Sequence, residues 1–332
     1  WIDPLGYLEM LDEKTMTDVL KLRMTPFDYD SLEIKRHGSL SKTKYNFVVP
    51  VKESDDKSGE KANIRLYQAK TLITYLHRYL FNKSDWSVTF VVQETDDTIT
   101  KELIEFSEKY DWNNVNVFTI VSDDMFMKKS ACYNYVCKNV ECEWQINHDV
   151  DLLFTKEFIT GIEEFCDSGK GNFFQPFYGG LVIPLNERST KTKIEYAISG
   201  NPMDLSQFEV ELPDRPIENY APGGSIVVKQ DFMKKVGGYD PQVIEGYGPE
   251  DGMFWMKLEL ASGPISKTDF HTVHYGNGHY SKNPKTLAFH MAHAPGVIDG
   301  DKSLIPLVYY LFLTVCPYEV RIKFLKRLDG AL

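Results

Sequence analysis

Four short apolar runs in the first half of the chain constrain its fold more than anything else in the sequence. They are Asn46–Val51, Ser87–Val92, Val115–Val121 and Gln145–Asp149, rich in β-branched and aromatic residues. Runs this short, bounded by polar segments, read as buried strands. Stretches with helical spacing lie between them. Over Ala62–Phe81, residues Leu66, Ala69, Leu72, Ile73, Leu76 and Leu80 recur at intervals of three and four and build one apolar face. Thr100–Tyr110 and Ser130–Lys138 read as two further helices. Strands and helices in strict alternation predict a parallel sheet covered by helices. Ligands of such sheets bind beyond the carboxyl ends of the strands. Lys52, Glu94, Asp97, Lys129 and Asp149 all fall at such ends.

The fourth strand runs into Asp149-Val150-Asp151. Two carboxylates one residue apart at a strand end can converge on one hard cation. Their oxygens suit Mg²⁺ or Mn²⁺, which keep coordination positions for substrate phosphates. An acidic turn gives the same pattern, so the motif alone also reads as a solvated loop. A second stretch, Tyr220–Gly252, carries three glycine clusters beside aromatics, at Gly223-Gly224, Gly237-Gly238 and Gly246-Tyr247-Gly248. They mark tight turns, either near a ligand or simply as turns. Glu250-Asp251 follows, just ahead of a helix predicted over Met253–Leu260, where acidic residues serve as helix caps or as chemistry.

Bulk properties narrow the function. At 332 residues the chain can bury a full core. A net charge of −11 argues against general affinity for nucleic acid or an anionic membrane. The five cysteines include no C-x-x-C pair and read as free thiols, without a disulfide framework or a structural zinc. That usage favours a reducing compartment. The chain starts at Trp1 and is expected to be a piece of a longer or processed protein. One sequon, Asn82-Lys83-Ser84, is of a kind that arises often by chance. Residues 1–44 read as an extension with a short helix around Met16–Leu22. The apolar tail Leu304–Tyr318, followed by basic Arg321–Arg327, is too short for a membrane span. It reads as a docked helix, or else as a homodimer or membrane-surface contact through 304–327.

Taken in order, several segments resemble the metal-dependent GT-A glycosyltransferases, and among them the β-1,4-galactosyltransferase-like enzymes with their C-terminal galactosyltransferase motif. The segments are Phe47–Val51, Lys128–Asn134, Asp149–Asp151, Gly223–Ser225, Val236–Asp240 and Gly246–Asp251. The resemblance spans roughly residues 45–280. It implies an α/β GT-A fold, a Rossmann-like mixed sheet flanked by helices, with a C-terminal helical tail over 301–332. The glycosyltransferase domain would cover 45–300, with a nucleotide half over 45–152 and an acceptor half over 153–300.

Residue by residue, the resemblance makes Asp149 and Asp151 the metal ligands, with Asp149 also near the donor. Pro50, Val51, Lys52, Glu94, Lys129 and Gly224 would contact the donor. Tyr220, Gly223 and Tyr247 would meet the acceptor, Tyr247 standing where the family has Trp. Glu250 would bind substrate hydroxyls and Asp251 would be the general base. The metal-binding histidine is placed at His274, with His271, His279, His290 and His293 as rivals. Imidazole with carboxylate favours Mn²⁺, with Mg²⁺ as the alternative. The implied reaction moves a hexose (Gal, GalNAc or Glc) from a UDP-sugar to a hydroxyl of a glycan or glycosylated protein, with inversion. A non-catalytic carbohydrate-binding module and a nucleotide-sugar hydrolase are the competing readings. The family would favour a secretory lumen.

Overall fold

The computed structural model describes residues 28–38, 42–52, 64–110, 112, 114–123, 127–178, 182–185, 187–199, 224–241, 250–262 and 280–291. The helix expected around 16–22, the tail over 301–332 and its proposed dimer or membrane contact lie outside them.

In chain order the elements are β1 (Glu33–His37), β2 (Thr43–Lys52), α1 (Ile64–Leu80), β3 (Trp86–Glu94), α2 (Thr98–Glu108), β4 (Val115–Val121), α3 (Lys129–Asn139), β5 (Cys142–His148), β6 (Leu152–Phe154), α4 (Lys156–Ser168), β7 (Phe173–Tyr178), β8 (Val182–Pro184), α5 (Glu187–Ile198), β9 (Ser225–Lys229), α6 (Gln230–Lys235), α7 (Glu250–Ser262), β10 (Tyr280–Ser281) and β11 (Ala288–His290). A short 3₁₀ turn, Tyr29–Ser31, precedes β1.

The fold is α/β. Its main sheet runs β1-β4-β3-β2-β5-β9-β7-β10. The four strands predicted from sequence, β4, β3, β2 and β5, lie side by side and parallel. Every residue of β3 is buried, as expected of a central parallel strand covered on both faces. Alternate side chains enter two cores. On one face Phe47, Val49 and Val51 pack with Leu72, Ile73 and Leu76 of α1, Leu103 and Phe106 of α2, and Phe158 and Ile162 of α4. On the other, Val48 and Val91 pack with Tyr133 and Val136 of α3, Met233 of α6, and Phe254, Trp255 and Leu258 of α7.

Beyond β5 the sheet turns antiparallel: β9 pairs with β5, and β7 with β9. At the opposite edge β1 adds antiparallel to β4, so residues 33–37 of the expected extension belong to the main sheet. A second small sheet, β6-β11-β8, brings His290 opposite Leu152. Among the described residues no helix is long and apolar enough to cross a membrane, and Cys132, Cys137, Cys142 and Cys166 are free and buried.

Asp149 leaves β5 under a backbone constraint. Its N–H donates to the Gly224 carbonyl at 2.8 Å. Gly224 holds φ at +76°, and a Cβ there would stand 2.6 Å from Cδ1 of the buried Leu152. Only glycine accepts both the dihedral and the approach. Gly224→Ala should therefore cost about 1–3 kcal/mol, from strain and overpacking together. In urea unfolding, adding Leu152→Ala should recover part of that cost. A loss fully additive across the pair would contradict the close approach.

Candidate active site

The carboxyl edge of the sheet gathers a compact group of charges. Lys129 is the first residue of α3 and follows the end of the β4 region in the chain. The Lys128 N–H donates to Gln93 Oε1 at 2.9 Å, tying the start of α3 to the end of β3. From there the Lys129 Nζ reaches Asp149 Oδ1 at 2.8 Å, Asp251 Oδ2 at 2.7 Å and Glu250 Oε1 at 3.4 Å. Asp149 comes from the end of β5, while Glu250 and Asp251 open α7. Acidic residues in a helix's first turn are favoured by its dipole, so the capping tendency and the cluster draw on the same placement. A lysine at a helix start is disfavoured by that field, and here three carboxylates offset it.

The cluster is dense and mostly shielded. The Lys129 side chain is 14 % exposed, Glu250 8 %, Asp251 17 % and Asp149 30 %. Burial alone lowers the Lys129 pKa, but Asp149, Asp251 and Glu250 outweigh it and hold the ammonium well above its usual range. Burial pushes Asp149 up to about 6, against the pull of Lys129 and with a push from Asp251 and Asp151. Glu250 is pushed up to about 8, first by burial, with Lys129 opposing and Asp251 adding. Its Oε2 has no hydrogen-bond partner among the described residues. A carboxyl in that setting keeps its proton near neutral pH.

Two tyrosines frame the carboxylates. Tyr133 OH donates to Asp149 Oδ1 and Tyr239 OH to Asp251 Oδ1, both at 3.4 Å. Asn147 Nδ2 donates to Tyr239 OH at 3.3 Å, and Gln145 Nε2 donates to Asn147 Oδ1 at 2.7 Å. Asn134 grips the backbone of Tyr239 in both directions, at 2.8 and 3.0 Å. Polar residues on one face of β5 thus set Tyr239, which sets Asp251. Beside this network His148 is fully buried, and burial lowers its pKa to about 4. It is a neutral imidazole facing the Leu152 carbonyl through Nε2 at 3.1 Å.

Asp151 heads a second group. Its Oδ2 lies 2.6 Å from Arg65 Nη1 and 3.7 Å from His290 Nε2, and its carbonyl accepts the Met291 N–H at 2.8 Å. Among the described residues no three His, Cys, Asp or Glu side chains converge as a metal cradle.

Of the residues singled out in the sequence, Asp149, Lys129, Glu250 and Asp251 meet directly. Asp151 stands two residues on from Asp149 with its own partners. His290 lies beside Asp151, while His271, His274, His279 and His293 fall outside the described residues, as do Tyr220, Gly223 and Tyr247. Pro50 and Val51 are buried in β2, Val51 within the core, which leaves the strand-end backbone as what they offer a ligand. Lys52, half-buried, ends that strand. Glu94 is taken up otherwise: its two oxygens accept the N–H groups of Ile99 at 2.6 Å and Thr100 at 2.9 Å, at the start of α2. Asp97 pairs with Lys35 at 3.1 Å. Sequence reasoning missed Arg65, Tyr133, Tyr239 and Asn147. Arg65 had one local signal, a cation in the first turn of a helix, where the dipole opposes it.

No protein-family model matches the sequence, and no curated protein matches it. Solved structures do. S. aureus TarS 1-349 in complex with UDP-GlcNAc is 18 % identical, over 87 % of this chain and 72 % of that one, with a TM-score of 0.51. A mannosyltransferase, PcManGT from Pyrobaculum calidifontis in complex with GDP-Man and Mn²⁺, aligns at 9 % identity over 98 % of this chain and 81 % of that one, with a TM-score of 0.45. At 18 % identity the likeness to TarS is one of fold, a mostly parallel sheet flanked by helices.

Glu250 yields a pH test. Its native pKa of about 8 lies above the ordinary 4.5. Between those values the native state holds a proton that the unfolded chain releases, so this group's contribution to stability falls as pH rises. The slope is about 1.4 kcal/mol per pH unit for one fully differing proton. Glu250→Gln should therefore gain stability relative to the wild type between pH 5 and pH 8 in urea titrations. Parallel profiles for the two proteins would contradict the raised pKa.

Proposed function

We propose that the chain is a nucleotide-sugar glycosyltransferase of the inverting type, resembling the β-1,4-galactosyltransferase-like enzymes. It would move a hexose from a UDP-sugar to a hydroxyl of a glycan or glycosylated protein. The observation that carries this reading is the meeting of Asp149, Glu250 and Asp251 on one lysine at the carboxyl edge of a parallel sheet. That is where α/β folds bind nucleotides. The likeness of fold to a protein holding UDP-GlcNAc supports the donor class.

In this reading Asp251 is the general base. Tyr239 and Lys129 hold its two oxygens in place. It takes the proton of the acceptor hydroxyl as that oxygen attacks the anomeric carbon. The bond from that carbon to the UDP oxygen breaks on the opposite side, and the configuration inverts. Glu250, kept protonated by burial, would offer an O–H to a sugar oxygen. Asp149 and the Lys129 ammonium face the donor, Lys129 towards its phosphates. The backbone at Pro50, Val51 and Gly224 completes the donor side. Tyr220, Gly223 and Tyr247 are assigned to the acceptor from the resemblance.

The resemblance also implies a divalent cation, for which no three His, Cys, Asp or Glu side chains converge among the described residues. Asp149 and Asp151 are the residues that the resemblance assigns to Mn²⁺, or to Mg²⁺ in its place. Such an ion supplies positive charge against the negative charge that builds on a leaving diphosphate.

The test is UDP release with Mn²⁺ across UDP-glucose, UDP-galactose and their N-acetyl forms, with and without an oligosaccharide acceptor. Acceptor-dependent release with one donor is expected. Asp251→Asn should lower turnover about 10²–10⁴-fold while UDP affinity stays within about twofold by calorimetry. Near-normal turnover in that variant, or release indifferent to acceptor, would sink the assignment.

A further inference from the structure

His148 is the buried polar group that the proposed reaction does not use, and an apolar ring would fill its place. The side chain is fully buried. It meets Phe47, Phe154 and Phe158 edge to face, with ring centroids 5.4, 5.3 and 6.0 Å away. A phenylalanine suits such a cluster and brings no polar atom into it. The imidazole brings two. Its Nδ1 has no hydrogen-bond partner among the described residues. A buried polar atom left in that way costs stability. The other nitrogen, Nε2, lies 3.1 Å from the Leu152 carbonyl. A carbonyl only accepts, so Nε2 carries the hydrogen. The histidine thus differs from a phenylalanine by one unpaired atom and one useful bond.

That bond falls on the acidic turn. The chain leaves β5 at His148 and turns over residues 149–152, where the Leu152 N–H donates to the Asp149 carbonyl at 3.2 Å. The turn is held at its start by Gly224, whose carbonyl accepts the Asp149 N–H at 2.8 Å. It is held at its end by His148, the residue just before it, which grips the carbonyl of its last residue. Asp149 and Asp151 both lie between these two clamps. From there Asp149 reaches Lys129 and Asp151 reaches Arg65.

We propose that His148 is a positioning residue of the active edge: its Nε2–H fixes the Leu152 carbonyl, and with it the directions in which Asp149 and Asp151 leave the turn. The inference rests on the reading that Asp149 faces the donor, and adds the group that aims it. The aromatic core accepts an unpaired ring nitrogen, and the acidic turn gains a fixed shape. His148 touches neither substrate nor reacting atoms in this account.

Two variants of the whole chain separate packing from positioning. His148→Phe keeps the ring and loses the N–H. His148→Gln keeps a side-chain N–H and loses the ring. The thermal midpoint should be higher in His148→Phe than in His148→Gln, because the ring that fills the cluster is kept. Acceptor-dependent UDP release should rank the other way. It should fall about tenfold or more in His148→Phe, since misplacement by ~1 Å costs up to about 10²-fold, and recover in part in His148→Gln. Amide hydrogen exchange over residues 149–152 needs no turnover. Exchange there should quicken in His148→Phe while β5 stays as protected as in the wild type. Turnover that follows stability, with His148→Phe above His148→Gln in both, overturns the inference. Near-normal turnover or unchanged exchange of the turn in His148→Phe does so as well. A wild type without acceptor-dependent release refutes the proposed reaction instead, and the exchange result then decides the inference alone.

Discussion

One ammonium group joins the two parts of the sheet's carboxyl edge. Lys129 touches Asp149 from the parallel half and Glu250 and Asp251 from the helix that follows the antiparallel strands. The hydrogen-bonded run from Asn147 through Tyr239 to Asp251 ties the same strand and helix. The arrangement is poor as a stabiliser. Three carboxyls and one ammonium, all largely shielded, lose much hydration, and a hydrophobic cluster of equal volume would serve the fold as well or better. Such a group is better understood as a device for setting protonation and position.

That device separates like residues into unlike roles. Burial drives both Glu250 and Asp149 towards their neutral forms, Glu250 further. Asp251 is held between a lysine and a phenol. Under the proposed reaction, Asp251 accepts a proton while Glu250 donates a hydrogen bond. The polar face of β5, from Gln145 through Asn147 to Tyr239, carries that arrangement into the sheet. The second group, Arg65, Asp151 and His290, begins two residues on from Asp149.

The parallel core was legible because its strands are buried on both faces and read as continuous apolar runs flanked by helical spacing. Helix α1 is described from Ile64 and ends one residue before the spacing reading. The antiparallel part was not legible to the same degree. Strands such as β9 and β7 gain their partners from far along the chain, and β7 carries Pro176 and Gln175, which weaken its local signal. Helix α4 did carry a local signal, with Phe158, Ile159, Ile162 and Cys166 buried on one face. In the candidate site, the residue types at 149, 151, 250 and 251 announced carboxylate chemistry. Their convergence on Lys129 is a tertiary fact that spacing does not contain. Two local alternatives also entered. Glu94, placed like a ligand at a strand end, caps α2, and Gly224, set beside a presumed sugar, makes room for Leu152.

The most direct test of the ammonium's role is the pH dependence of stability in Lys129→Met. Removing Lys129 leaves Asp149, Glu250 and Asp251 near one another without their shared cation, which is costly while they are ionised and mild once they are protonated. Urea unfolding of the variant and the wild type, compared from pH 8 down to pH 5, should show a deficit that is largest at pH 8 and shrinks steadily towards pH 5. A deficit that is the same at every pH, or none at all, would contradict a lysine that gathers these carboxylates.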